Sequence, residues 1–148
     1  MKPRTGKDAV DAVIYAAHRI RTATDAALRE HGLSLSGLKL LAALADGDLS
    51  MRELSQALHV APRTVTDIID GLEAHGLVNR CAHASDRRVT LIRLSEAGAR
   101  ELGQAGATSE RIAAAAISDL DDGEQDTLWS LLERVRVPAA ARQEARRR

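Results

Sequence analysis

The chain has 148 residues, 45% hydrophobic and 28% charged, with 21 basic and 21 acidic side chains and a formal net charge of zero. A chain of this length suits one domain with a helical extension and buries roughly 70% of the surface its unfolded form exposes, so it needs no staples. Zero net charge argues against nonspecific coating of nucleic acid, the single cysteine Cys81 excludes an intramolecular disulfide, and no run of about 18 apolar residues exists to span a membrane.

The first predicted helix covers residues 8–31, where Val10, Val13, Ile14, Ala17, Ile20, Thr24 and Leu28 recur at helical spacing. Gly32 stops it. Ser34 or Ser36 caps a second helix with Leu35, Leu38, Leu41 and Leu44 on its apolar side, and Asp46-Gly47-Asp48 then breaks the chain. Ser50 and Glu53 form a capping box, in which each side chain satisfies the other's orphan amide. It opens a short helix with Leu54, Ala57 and Leu58 directed inward. Pro62 suits the first turn of the next helix, where a missing amide costs little. That helix carries Val65, Ile68, Ile69 and Leu72 as its buried stripe and ends at Gly76.

Residues 77–81 and 89–95 read as two strands joined by a polar connection too long for a tight turn. A long alanine-rich helix follows to about residue 118, with Gly103 and Gly106 inside it. Asp121 and Glu124 begin a last helix through Leu128, Leu131, Leu132 and Val135. Pro138 closes that helix, and residues 138–148 form a basic tail.

Two short helices, then a hairpin with a basic tip, are what a winged helix-turn-helix requires: one helix fills a major groove and the tip reaches the backbone or the neighbouring minor groove. The fold class expected is mainly α with a small β-hairpin wing. Charge is segregated in the same sense. Residues 80–93 hold four arginines against one acid, Asp86, whereas residues 119–126 hold five acids and no base. The only aromatic residues are Tyr15 and Trp129. Readers of single strands and of RNA stack bases on aromatic platforms, so the composition favours duplex DNA.

The pattern Thr64-Val65-Thr66, Ile69, Leu72-Glu73, Gly76-Leu77-Val78 and Arg80, followed by Asp86-Arg87-Arg88, Leu94-Ser95 and Gly98, resembles the MarR family of bacterial transcription regulators. The likeness is close over the middle third and agrees in helix order across nearly the whole chain. It implies one MarR-like domain over residues 1–148, with a winged-helix lobe at 34–95 and dimerisation helices at 8–31 and 96–136. It further implies a homodimer that reads a palindrome, a recognition helix from about Pro62 to His75, and a wing arginine at Arg88 that enters the minor groove. Two positions depart from the family pattern. Ala61 replaces the usual hydroxyl cap, at a cost of about 1 kcal/mol, and Asp67 stands where many members carry arginine or another polar residue.

The residues expected to contact DNA are Arg63, Thr64, Thr66, Arg80, Asp86, Arg87 and Arg88. Arg63 and the hydroxyls suit phosphates or base edges, and Asp86 suits the orienting of an arginine. Arg80 and Arg93, on the strands, suit either phosphates or neighbouring acids. Tyr15, His18 and Arg19 are the candidates for a small-molecule effector cleft, which the resemblance implies. Cys81 reads as a structural cysteine. The five scattered histidines lack paired ligand spacing, so no metal or other cofactor is expected. Neither a glycine-rich phosphate loop nor a nucleophile elbow is present, so the chain does not read as an enzyme. The expectation is a cytoplasmic repressor. The rival reading is a winged helix used for protein–protein contact, supported by the neutral net charge.

Overall fold

The computed structural model describes residues 5–86 and 88–136. Arg87 and the basic tail at 138–148 lie outside the described residues. The chain divides into two compact units, Met1–Ala113 and Ala114–Arg148.

In the first unit, α1 (Gly6–Leu28) starts from a capping box between Thr5 and Asp8. It runs into a 3-10 turn at Arg29–His31, which Gly32 ends in the left-handed conformation with φ 65°. That φ is open to glycine at little cost. Ser34 Oγ accepts from Gly37 N at 3.1 Å and so caps α2 (Leu35–Ala43). The expected box between Ser50 and Glu53 caps α3 (Met51–Leu58). Pro62 opens α4 (Pro62–Ala74), and Ala61 gives that helix no side-chain cap.

The sequence predicts two strands, but the sheet has three. β1 (Leu49–Ser50), β2 (Val78–Ala82) and β3 (Thr90–Leu94) pair antiparallel in the order β1-β3-β2. β1 is only two residues long and exists because Leu49 sits opposite Ile92 and Ser50 opposite Leu91. A strand made by so distant a pairing leaves no periodicity to read. α5 (Glu96–Ala116) follows directly. Ser95 joins it to the sheet: its Oγ donates to Gly76 O at 2.7 Å and accepts from Gly98 N at 2.9 Å. Gly98 packs so close to the sheet that a Cβ there would stand 2.1 Å from the Leu77 carbonyl oxygen.

One core holds these elements together. Leu28, Leu40, Leu41, Leu54, Val65, Ile69, Val78 and Ile92 are its largest fully buried side chains. Ala57, expected inward, is exposed, because the inward side of α3 runs through Met51, Leu54 and Leu58 and leaves Ala57 on its flank. A polar link adds to the core: His31 Nδ1 lies 2.5 Å from Glu101 Oε1, and Nε2 lies 3.2 Å from Thr108 Oγ1. The 3-10 turn is thereby tied to α5.

The apolar face of α1 behaves differently along its length. Thr24 and Leu28 are buried, but Val10 and Ile14 are 53% and 62% exposed, and Val13 and Ile20 are exposed as well. In the second unit, α6 (Asp122–Glu133) begins with the predicted Asp121–Glu124 capping box. Leu128, Trp129, Leu131, Leu132 and Val135 are all exposed there. No helix among the described residues is long and apolar enough to cross a membrane.

Candidate nucleic-acid interface

Burial of Val65, Ile69 and Leu72 fixes the rotation of α4. At 3.6 residues per turn, Arg63, Asp67, Asp70 and Ala74 then fall on the opposite side. Arg63, Asp67 and Thr64 beside them are exposed, and Asp70 keeps most of its carboxylate in solvent. The Thr66 hydroxyl donates to Pro62 O at 3.1 Å. Its proton is therefore engaged by its own helix.

The tip of the β2–β3 hairpin is held by local hydrogen bonds. His83 N donates to Val89 O and Val89 N to Asp86 O, each at 3.0 Å. Asp86 Oδ1 accepts from Arg88 N at 2.9 Å. Asp86 thus orients Arg88 through the backbone, as expected of a short acidic side chain in a turn. Arg88 itself is exposed. Arg87, predicted beside it as a DNA contact, lies outside the described residues.

The arginines divide into two kinds. Among the described residues, Arg63 and Arg88 take part in no ion pair. Arg80, also predicted as a DNA contact, pairs with Asp70 at 2.5 Å and with Glu73, both on α4. Hydrogen bonding to Asp70 holds its guanidinium above the usual arginine pKa. Arg93 grips Asp48 through Nε at 3.0 and 3.1 Å and through Nη2 at 2.6 Å. That bonding keeps the Asp48 carboxyl below the ordinary carboxylate range. Of the two roles the sequence leaves open for Arg80 and Arg93, the structure places both side chains on acids. Asp48, in the break after α2, carries no sequence signal for such a pairing.

A groove of about 480 Å³ lies between the 3-10 turn, α2 and α4. Leu33, Ile68 and Leu72 line it, with Arg29, Thr64, Asp67 and His75 as polar members. Tyr15, His18 and Arg19 are not among its walls. They lie on exposed α1, where the Arg19 guanidinium stands 5.6 Å from the centre of the Tyr15 ring. The groove residues escape sequence reading because they converge from three separate elements. Cys81 is half-buried, its thiol 3.6 Å from Leu91 O. No cluster suited to a metal ion occurs among the described residues.

Residues 33–90, from just before α2 to the first residue of β3, match the sequence profile of the MarR family. Over those residues the chain is similar to members of the MarR family. Over 106 residues it is 29% identical to the uncharacterized HTH-type transcriptional regulator YdgJ of Bacillus subtilis (strain 168), covering 71% of this chain and 65% of that protein. Over 76 residues it is 37% identical to the HTH-type transcriptional repressor YetL of the same organism, covering 49% and 46%. The chain thus spans less than two thirds of either curated relative. A similar fold is found in Sco3205, a MarR family transcriptional regulator from Streptomyces coelicolor solved in complex with DNA, with a TM-score of 0.77, 23% identity and coverage of 89% of this chain and 88% of that one. All three are transcriptional regulators by name. α4 and β2 lie wholly within the matched residues.

Proposed function

We propose that this chain is a duplex-DNA-binding transcription regulator that acts as a homodimeric repressor on a palindromic operator in the cytoplasm. The observation that carries the reading is the arrangement of α4 and the wing: Arg63 on the outward side of α4 with exposed Thr64 beside it, and Arg88 exposed at a tip that Asp86 organises. Two recognition helices would enter successive major grooves about 34 Å apart, with the wings on the flanks. The exposed apolar side chains along α1 and along α6, each helix taken by itself, support the dimer, since exposed apolar surface of this kind marks association surfaces. The repressor YetL among the relatives supports the sign of regulation.

The groove beside α4 is the place proposed for a small-molecule effector. A ligand there weakens DNA binding only if it has different affinity for the DNA-competent and released arrangements. The competing reading, a winged helix for protein contact, draws on the carboxylates of α4, Asp67, Asp70 and Glu73.

Fluorescence anisotropy on duplex from upstream of the chain's own coding region tests the proposal, with scrambled duplex, rising salt and Arg88→Ala as comparisons. Selective binding that falls steeply with salt and weakens in the variant is expected. Equal weak binding to both duplexes, followed by a genome-fragment selection that enriches no palindrome, would put the protein-contact reading ahead.

A further inference from the structure

The outward side of α4 carries two carboxylates, and their surroundings differ. Asp70 is held by Arg80 at 2.5 Å. Asp67, at the middle of the stripe and one turn beyond Arg63, is exposed and takes part in no ion pair among the described residues. A bare carboxylate in the centre of a DNA-facing surface is repelled by phosphates and can only accept hydrogen bonds. In the major groove, guanine offers two acceptors, thymine offers one with a methyl group, and adenine sets its donor beside the N7 acceptor. Cytosine alone presents a donor, its N4 amine, without an acceptor beside it.

Resting on the DNA-binding reading above, we infer that Asp67 is a specificity-determining residue that accepts from the N4 amine of a cytosine in the operator. Arg80 and Asp67 then have complementary tasks. Arg80 neutralises Asp70, the carboxylate one turn further along, and leaves Asp67 as the acceptor on this side of the helix. Arg63, one turn earlier, suits a neighbouring guanine or phosphate. The stripe therefore alternates a donor fork and an acceptor along one groove.

The test is selection of duplexes from a random pool by the full-length wild type, Asp67→Asn and Asp67→Ala, followed by anisotropy on the enriched sequence and its single-base variants. The wild type is expected to prefer cytosine at one position by roughly 10-fold over the other bases. Asp67→Asn, which offers both a donor and an acceptor, shifts that same position towards adenine by a similar factor, and Asp67→Ala flattens it. Two results overturn the inference: all three proteins enriching one motif with equal base weights, or both variants binding every duplex more tightly by the same factor, which would mean simple relief of repulsion. A wild type that enriches a motif indifferent to position 67 sinks this inference alone. A wild type that enriches no motif sinks the DNA-binding reading and this inference with it.

Discussion

The arginines of the sheet and those of the α4–wing surface are the same residue in opposite settings. Arg80 and Arg93 rise from paired strands, where register fixes their origin and where Asp70, Glu73 and Asp48 meet them. Arg63 stands at the start of a helix and Arg88 at a hairpin tip, and no acid among the described residues forms an ion pair with either. An arginine satisfied within the protein must give up a partner before it can meet a phosphate, whereas an unpaired one needs only to shed water and counterions. On the proposed reading, the binding surface is defined less by where positive charge occurs than by where the protein has left it uncompensated. Zero net charge is compatible with DNA binding for that reason.

Substitutions on either side of this contrast have different expected signatures. The largest effect is expected from Ile92→Ala, which empties a fully buried site under the sheet. It should cost about 3 kcal/mol of stability, read as a lower denaturant midpoint with the preference among duplex sequences unchanged. The double variant Arg63→Ala, Arg88→Ala should keep its thermal midpoint and bind a selected duplex about 100-fold more weakly, the magnitude expected when two arginines at base edges or phosphates are removed. The slope of log affinity against log salt should then shrink by roughly 2, one for each phosphate no longer neutralised. A lowered thermal midpoint in that variant would show that these arginines also serve the fold.

Arg80→Ala should give the reverse pattern at smaller size. A loss of about 1 kcal/mol or less is expected for a partly exposed pair, with a smaller change in duplex affinity than Arg88→Ala produces. If Arg80→Ala proves the more damaging of the two for binding, the sheet arginines are not held in reserve for the fold and the two kinds merge. The smallest effect is on pH dependence. Asp48 and Glu53 have carboxyls lowered by Arg93 and Ser50 respectively. A lowered folded-state pKa adds stability that is complete above the ordinary carboxylate range and lost as the pH falls through the lowered value. Asp48→Asn should therefore flatten the acid limb of the stability curve while leaving Glu53's part in place, as urea titrations between about pH 3 and pH 6 would report.

How much of the fold and the site is legible in the sequence follows from the range of the interactions. Helix starts at Ser50 and Asp121 are readable because a capping box is complete within four residues. Stops at Gly32 and Gly76 are readable because each glycine adopts a positive φ. The hairpin strands lie within one residue of their expected bounds. β1 is not readable, since its partner Ile92 is remote in sequence and two residues show no alternation. The pairing of Arg93 with Asp48 escapes for the same reason. On α1 the apolar pattern is plain, but periodicity says only that a face is apolar. Burial of Leu28 and exposure of Ile14 depend on what other elements reach them. The residues of the α4 stripe follow from helical spacing alone, while Asp67's isolation and Asp70's neutralisation become visible only once β2 sets Arg80 against the helix.

Gly98 bears on how this protein would look to genetics. No side chain can be added there without pushing on the Leu77 backbone, although the residue lies outside the α4 stripe and the wing tip. In a reporter screen for loss of repression, substitutions at codon 98 would be recovered alongside those at codons 63 and 88 and would look the same by phenotype. Immunoblotting would separate them: the arginine variants are expected to accumulate at normal levels, and the codon 98 variants to be depleted as misfolded chains. A map of intolerant positions drawn from phenotype alone would therefore overstate the DNA-contacting surface, and Gly98 is the position where the overstatement should be greatest.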